Sequence, residues 1–367
     1  MRRIFVFIQV IFKNKNFDRE VVMRNIKNTL QIVVLGILIS SCSGGGNGGS
    51  GVENGSGNSS PLLPEIPQNI SAISNVGRIS LSWDASNNTS LYKVYWNTVG
   101  SVSKSDNVLQ ATSTNIEHTQ LISGTKYYYR VAAINDEDES DLSTEISVAS
   151  VPTDSIASFY PFNGNANDET GNNNTGSVHG AVLTTDRFGN ENGAYYFDGI
   201  NDYLSFGAVS PLSDHSVSVW VKPEAQIQYA TIVGHEGGPS EACGKGFVIR
   251  INTSLNPYYV LDPAGCGGVG GTVVLDSDSS IEQDAWSHIV GTYDGDNALL
   301  YVNGDLIAQK SGATFDASTW LAIGATSYFN GQQALYKGSI DDVRIYYNIL
   351  SEVEVKALFN EGKTIVP

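Results

Sequence analysis

A carboxylate near the C-terminus is the first residue whose type and position predict chemistry. The segment Ser339–Tyr346 reads SIDDVRIY, and an alternation of two places Asp341 on one face with Val343 and Ile345. No Lys or Arg lies nearby on that face. Because an unpaired buried charge is very costly, Asp341 needs a cation, a metal ion or several backbone N–H groups as a partner.

Side-chain oxygens that could meet Asp341 lie in Phe159–Asn172, which reads FYPFNGNANDETGN. This segment follows the first predicted strand of the C-terminal half, whereas Asp341 lies on the last. If these two strands are neighbours, Asn163 and Asp168 approach Asp341. The alternative is that Asp341 caps backbone N–H groups while Asn163 and Asp168 form Asx turns.

Exposed aromatic rings with amide and carboxylate rims are typical of carbohydrate sites. Four tyrosines lie in or near the variable loops and are candidate ligand-binding residues: Tyr229, Tyr258, Tyr328 and Tyr336. Each is also explained as an edge or core residue of a sheet.

The N-terminal sequence predicts export and a membrane anchor. Met23–Ser41 has a basic start, an apolar run too short to span a bilayer, and small residues before Cys42. The residues Ile39-Ser40-Ser41-Cys42 resemble the lipobox of bacterial lipoproteins, which implies diacylation of Cys42. An ordinary cleaved signal with a spare Cys is the alternative. We expect residues 1–41 to be the signal, with a true start at Met23, and residues 42–63 to be a flexible tether.

The two other cysteines, Cys243 and Cys266, flank two strand-like runs, GFVIRINTS and PYYVLDP. Export to an oxidising compartment favours a disulfide across the ends of this hairpin, which would stabilise the fold by about 3 kcal/mol. Metal binding by the two thiols is the weaker alternative.

Length and charge narrow the classes of function. The 367 residues suffice for two or three domains, and strand-like runs with Gly, Asn and Asp turns predict an all-β protein. The net charge is −17; the first 41 residues contribute +5, so the remainder carries −22. Such a negative surface excludes nucleic acid, whose binding depends on basic patches.

Residues 64–153 are predicted to form a small sandwich. The pattern includes ISLSWDA with Trp83, LYKVYWNT, and a Leu-x-x-Gly-Thr-x-Tyr corner that ends at Tyr127. These features resemble the fibronectin type III family, which implies a seven-stranded module with Tyr127 at its tyrosine corner. The acidic run 136–141 then falls in a loop between the last strands.

Residues 154–367 are predicted to form a second, larger sandwich. The motifs FDG-x-x-DY, SVSVWVKP, WSHIVGTYDG, LYVNG and GSIDDVRIY resemble laminin G-like jelly rolls of the concanavalin A-like lectin/glucanase superfamily. The resemblance implies two antiparallel sheets and a structural calcium ion near the terminal strands. Calcium takes six to eight oxygen ligands. Asn163, Asp168 and Asp341 supply side-chain oxygens in this region, so we predict these three residues as ligands.

We expect no enzymatic activity. Glucanases of that superfamily carry a Glu-x-Asp-x-Glu run or a longer variant, which this chain lacks. The expected function is noncatalytic binding of a glycan or a matrix or cell-wall protein, at the outer membrane or cell surface. An envelope assembly protein is the alternative, and a glycan-cleaving enzyme is a third.

The anchor prediction has a direct test. A Cys42→Ala variant expressed in a bacterial host is expected to lose the lipid, because the thiol is the acylated group. Labelling with a fatty acid should mark the parent and not the variant, which should leave the membrane fraction. A Cys243→Ala variant is the control, and equal labelling of the Cys42→Ala variant would contradict the prediction.

Overall fold

The computed structural model describes residues 63–136, 138–208, 212–224, 229–236, 246–262, 272–314, 320–325 and 334–367. These ranges belong to one compact unit and form two β-sandwiches with one short helix. Cys42, Cys243, Cys266 and Tyr328 lie outside the described residues, so lipidation, the disulfide and a role for Tyr328 stay predictions. No helix within the described ranges is long and apolar enough to span a membrane.

The first sandwich has seven strands of its own. They are β1 (Ser71–Asn75), β2 (Arg78–Ser82), β3 (Leu91–Asn97), β4 (Asn107–Ala111), β5 (Asn115–Thr119), β6 (Lys126–Ile134) and β7 (Ile146–Ala149). One sheet contains β1-β2-β5 and the other has the order β4-β3-β6-β7. Trp83 and Tyr127 are buried in the core between them. The Tyr127 hydroxyl accepts a hydrogen bond from the Ile122 N–H at 2.8 Å, which confirms the predicted tyrosine corner.

The second sandwich follows and uses fifteen strands within the described residues. They are β8 (Ile156–Tyr160), β9 (Ser177–His179), β10 (Val182–Thr184), β11 (Ala194–Asp198), β12 (Tyr203–Ala208), β13 (His215–Pro223), β14 (Ala230–Glu236), β15 (Gly246–Ile251), β16 (Pro257–Asp262), β17 (Val273–Asp276), β18 (Ser287–Tyr293), β19 (Ala298–Val302), β20 (Asp305–Lys310), β21 (Trp320–Ile323) and β22 (Lys337–Tyr346).

These strands form two antiparallel sheets. The eight-stranded sheet has the order β10-β11-β22-β13-β18-β19-β20, and β8 also pairs with β22. The seven-stranded sheet has the order β17-β16-β15-β14-β21-β12-β9. The pairing of β8 with β22 confirms that the first and last strands of this sandwich are neighbours. The sequence also predicts strand breaks at the turn pairs Asp294-Gly295 and Asn303-Gly304, and these breaks are confirmed because β18, β19 and β20 end and begin there.

The turn after β11 differs from the simple hairpin that its sequence indicates. Strand β11 pairs with β10 and β22, whereas β12 pairs with β9 and β21 in the other sheet. The Asp198-Gly199 turn therefore carries the chain from one sheet to the other. The alternation AYYFD and YLSF is satisfied by burial on the facing sides of both sheets, so the sequence pattern alone does not distinguish the two arrangements.

The outer face of the eight-stranded sheet is also covered. The run Ser351-Glu352-Val353-Glu354 predicts a capping box, and helix α1 (Glu352–Phe359) does begin after Ser351 with this box to Glu354. Its Val355 and Leu358 pack with apolar residues of β18, β19 and β22 and with Val151 of the connection between the sandwiches. Coverage on both faces explains why every residue of β18 is buried.

The chain ends by crossing back to the first sandwich. Strand β23 (Thr364–Ile365) pairs with β1 in the register Ala72↔Ile365 and Ile73↔Thr364. The Gly362 N–H also donates to the Ser74 carbonyl at 2.9 Å. The last strand of the second domain therefore extends a sheet of the first, which joins the two sandwiches through backbone hydrogen bonds.

Two histidines are buried between the sheets of the second sandwich. The rings of His215 and His235 both lie parallel to Phe247, with ring centroids 4.7 and 5.4 Å from it. His215 Nε2 lies 2.6 Å from the Tyr259 hydroxyl, whereas neither ring nitrogen of His235 has a hydrogen-bond partner among the described residues. Burial lowers the pKa of His215 to about 3 and that of His235 to about 4.

Acid should therefore destabilise this core. The unfolded chain binds a proton at His235 near pH 6.5 and the folded chain only near pH 4, so stability is lost as the pH falls through that window. The difference between the two pKa values corresponds to about 3 kcal/mol in the free energy of unfolding. A His235→Leu variant should unfold at higher urea concentration at pH 4.5, with a flatter dependence on pH. The exposed His179→Leu variant is the control; equal pH profiles of the parent and His235→Leu would refute this prediction.

Candidate functional site

A cleft of about 570 Å³ lies between the two sandwiches. The first sandwich contributes the turn between β1 and β2, through Asn75, Val76 and Arg78. The second sandwich contributes the loops after β8 and β10 and the middle of β22. Small-molecule sites commonly occur at domain interfaces and have volumes of about 300–1,000 Å³. The size and position of this cleft are therefore those of a ligand site.

The rim of the cleft is polar and carries one exposed aromatic ring. Asn163 follows β8 and is exposed, and the exposed Asn190 lies in the loop after β10. Phe188 is 49% exposed, so a large part of its ring is available for contact. The turn residues Asn75 and Arg78 form the last cross-strand pair of β1 and β2 on the opposite side. Amides, a guanidinium and an aromatic face are the groups that bind sugar hydroxyls and apolar sugar faces.

A β-bulge forms the floor of the cleft. Ser218 pairs with Arg344 and Trp220 pairs with Asp341, so Val219 alone faces two residues of β22. Asp342 has a φ of 46°, in the left-handed region that Asp tolerates better than most residues. The core consequently receives Ile340, Val343 and Ile345 rather than a strict alternation.

The predicted face of Asp341 is therefore wrong. Period 2 groups Asp341 with Val343 and Ile345, but the bulge changes the phase of the strand between them. Asp341 lies opposite Trp220 and lines the cleft instead of the apolar core. Of the partners considered for Asp341, a cation is present: Arg187 Nε, from the loop after β10, lies 4.0 Å from Asp341 Oδ2.

Arg344 and Glu361 form a bidentate ion pair behind the bulge. Arg344 Nη1 donates to Glu361 Oε2 at 2.7 Å, and Nη2 donates to Oε1 at 3.1 Å. Arg344 is 1% exposed, and its guanidinium lies over the Phe159 ring, 4.4 Å from the centroid. Paired N–H donors that match a carboxylate are the geometry in which Arg binds most strongly.

Arg187 joins the same carboxylates from the loop after β10. Its Nη2 donates to Asp342 Oδ2 at 2.7 Å and to Glu361 Oε2 at 3.2 Å, and its Nη1 donates to the Glu361 carbonyl at 3.1 Å. The guanidinium is 3.9 Å from the centroid of Phe188 and 4.5 Å from that of Trp220. We name Arg187, Asp341, Asp342, Arg344 and Glu361 the ion cluster.

The ion cluster contains three carboxyl groups and two guanidiniums, and Asp341 is the carboxyl group that the guanidiniums engage least. Its Oδ1 accepts a hydrogen bond from the Asp342 N–H at 2.7 Å. Burial raises the pKa of Asp341 to about 8, and the charge of Asp342 adds to this rise while Arg187 opposes it. Asp342 and Glu361 are better neutralised, because each receives hydrogen bonds from both arginines.

The three predicted calcium ligands differ in their surroundings. Asn163 and Asp341 line the cleft, whereas Asp168 is not among its lining residues. Asp168 Oδ1 accepts from the Phe159 and Thr170 N–H groups at 3.1 and 3.0 Å and from the Thr170 hydroxyl at 2.7 Å. Its Oδ2 accepts from the Asn174 amide at 3.0 Å. Asp168 is thus engaged by four hydrogen bonds from neighbouring groups.

The contacts of Asp168 with Thr170 are those of an Asx turn, which was the alternative to calcium binding. Within the described ranges, no group of three or more His, Cys, Asp or Glu side chains is arranged to hold a metal ion. Calcium binding by Asn163, Asp168 and Asp341 stays a prediction.

The candidate tyrosines that the structure describes differ in how exposed they are. Tyr336 is fully buried in the core of the second sandwich, and its hydroxyl donates to the Ser339 carbonyl, so its predicted role in ligand binding is wrong. Tyr258 is 7% exposed and packs on the seven-stranded sheet with Val248 and Val260. Tyr229 is 52% exposed and meets the Tyr258 ring edge-on, which leaves it as the accessible member of the described three.

Sequence reasoning missed most of the cleft. Arg187 and Asp342 are 155 residues apart in the chain, and no spacing rule connects them. Asn75 and Arg78 belong to the other sandwich, where they have the pattern of an ordinary turn. The signal that was available is the pair Asp341-Asp342, whose second carboxylate indicates that more than one cation is needed.

Two family comparisons agree with this architecture. Residues 65–149 match the fibronectin type III domain family, and residues 197–356 match the concanavalin A-like lectin/glucanases superfamily. A curated relative, an amylopullulanase from Thermoanaerobacterium saccharolyticum, is 30% identical over 83 residues, which is 22% of this chain. The matched part is 6% of that enzyme, so the chain spans a small fraction of its length.

Solved structures resemble this chain at low sequence identity. Domain 4 of an extracellular arabinanase from Geobacillus stearothermophilus, solved with arabinotriose, is 21% identical; the match covers 55% of this chain and 97% of that one, with a TM-score of 0.41. The binding domain of Paraclostridial Mosquitocidal Protein 1 is 19% identical; the match covers 56% of this chain and 52% of that one, with a TM-score of 0.44.

Glu361 should be important for stability. A Glu361→Gln variant removes the negative charge that two buried arginines share, and breaking a buried ion pair typically costs about 3–5 kcal/mol. Chemical denaturation should show this loss. Glu352→Gln breaks the exposed pair with Lys356 and should cost less than about 0.5 kcal/mol. Similar unfolding midpoints for the two variants would show that the ion cluster contributes no more than a surface pair.

Proposed function

We propose that this protein, whose chain carries a fibronectin type III domain followed by a concanavalin A-like domain, is a noncatalytic binding protein that takes a glycan in the cleft. It is exported, diacylated at Cys42 and displayed at the outer membrane or cell surface. The Gly- and Ser-rich residues 43–60 hold the two domains away from the membrane.

The observation that carries the proposal is the composition of the cleft. Its rim combines the amides of Asn75, Asn163 and Asn190 with the exposed ring of Phe188. Amides donate and accept hydrogen bonds, as the alternating hydroxyls of a sugar require. A half-exposed aromatic ring offers an apolar surface for the face of a sugar ring.

The state of the carboxylates supports binding rather than hydrolysis. A glycosidase needs two carboxyl groups that flank the scissile bond, one as an acid and one as a base or nucleophile. The raised pKa of Asp341 is what an acid requires, which is the feature that favours the enzymatic alternative. Its neighbours Asp342 and Glu361 are bound by two arginines, an arrangement that stabilises the fold and engages their oxygens in ion pairs.

Protein recognition is the second candidate. An envelope assembly protein would use the exposed surfaces of both domains and bind a stable partner without affinity for glycans. Tyr229 on the seven-stranded sheet is the described aromatic residue most available for such a contact. Recovery of one partner from intact envelopes, together with an empty glycan screen, would favour this function.

The test is a glycan-array screen of residues 59–367, run with calcium and again with a chelator. We expect glycan binding that an Asn163→Ala variant weakens by about five-fold, as expected for one lost hydrogen bond. Asn167→Ala is the matched control, because Asn167 is an exposed amide in the same loop that does not line the cleft.

The two conditions also test the calcium prediction. Binding that the chelator abolishes would indicate that the ion and the glycan share the cleft. Unchanged binding with a lower melting temperature would make calcium structural, and no change in either would contradict calcium binding. An empty array from a folded protein would contradict the proposed function and direct the search to protein partners.

A further inference from the structure

We infer that the fibronectin type III domain is one wall of the binding site rather than a spacer. Asn75 and Arg78 are the specificity-determining residues of this wall. The inference rests on the proposed function, because it concerns the same cleft and names the residues through which the first domain contacts the glycan.

The wall is held in place by the C-terminal segment. Strand β23 pairs with β1 immediately before the β1–β2 turn, and the Gly362 N–H donates to the carbonyl of Ser74, the neighbour of Asn75. A turn attached to a paired strand keeps its position, whereas a module on a flexible linker would sample many orientations. Asn75 and Arg78 are therefore presented to the cleft in one arrangement.

The same segment connects the wall to the floor. Glu361, the residue before Gly362, binds Arg344 and Arg187 in the ion cluster. Four residues of chain from Glu361 to Thr364 thus reach from the buried floor of the cleft to the sheet that carries its opposite wall. Movement of one domain against the other would have to break either the backbone pairs or the buried ion pairs.

A second contact between the domains lies at the start of the connection between them. The Ser123 hydroxyl accepts hydrogen bonds from the Thr153 and Asp154 N–H groups at 2.8 and 3.1 Å. Gly124 has a φ of 63°, and a Cβ there would collide with the Glu354 side chain of α1. The corner loop of the first domain therefore packs closely on the helix of the second.

The turn residues have groups available for a ligand. The Arg78 side chain is 50% exposed and has one surface ion pair, to Glu117 at 3.3 Å. Such an exposed pair contributes little to stability, so the guanidinium is available at low cost. Asn75 lies across the hairpin from Arg78, which places an amide beside the guanidinium on this wall.

The experiment titrates residues 59–367 with cellohexaose, or with the hexamer that the array identifies, by calorimetry. The Arg78→Ala and Asn75→Ala variants should bind this hexamer about five- to ten-fold more weakly than the parent. Unchanged affinity of both variants would overturn the inference.

Two further variants separate the possible failures. Glu117→Ala removes the same surface ion pair as Arg78→Ala but does not line the cleft, so its affinity should equal that of the parent. If Asn163→Ala weakens binding and the two turn variants do not, the inference fails and the proposed function stands. If none of the three cleft variants changes the affinity for a bound glycan, the cleft is not the site and both fail.

Discussion

The ion cluster is the interaction on which the rest of this structure depends. Two guanidiniums and three carboxylates are buried together, and each carboxylate except Asp341 is bound by both arginines. Isolated charges in this position would be unstable, so the loop after β10, the bulge in β22 and the C-terminal segment must occupy their places together. The floor of the cleft and the attachment of the two domains follow from that requirement.

A local irregularity in one strand makes this arrangement possible. Without the bulge at Asp342, one of the two adjacent aspartates would enter the apolar core. With it, Ile340, Val343 and Ile345 fill the core while Asp341 and Asp342 both line the cleft. Bulges occur often beside functional sites because they redirect side chains without ending the strand. The strained φ of Asp342 is offset by its hydrogen bonds with Arg187.

The residues proposed to bind a ligand are distinct from the residues that stabilise the cleft. The rim residues Asn75, Asn163 and Phe188 have exposed groups, whereas Asp342, Arg344 and Glu361 are engaged in the interior. A ligand would contact the first set while the second set fixes the distance between the walls. This division permits the rim to vary in sequence without loss of the fold.

The sequence by itself determined the all-β class, the order of the two sandwiches, the tyrosine corner at Tyr127 and the capping box at Ser351, because alternation, turn residues and caps are local signals. Tertiary structure alone decided the partners of Asp341, the separation of β11 from β12 and the joining of β23 to β1. Tyr336 illustrates the limit: its position near a variable loop indicated a surface, but packing placed it in the core. Contacts between residues more than a hundred positions apart depend on how sheets stack and where a bulge shifts the register, and alternation within one strand does not encode either.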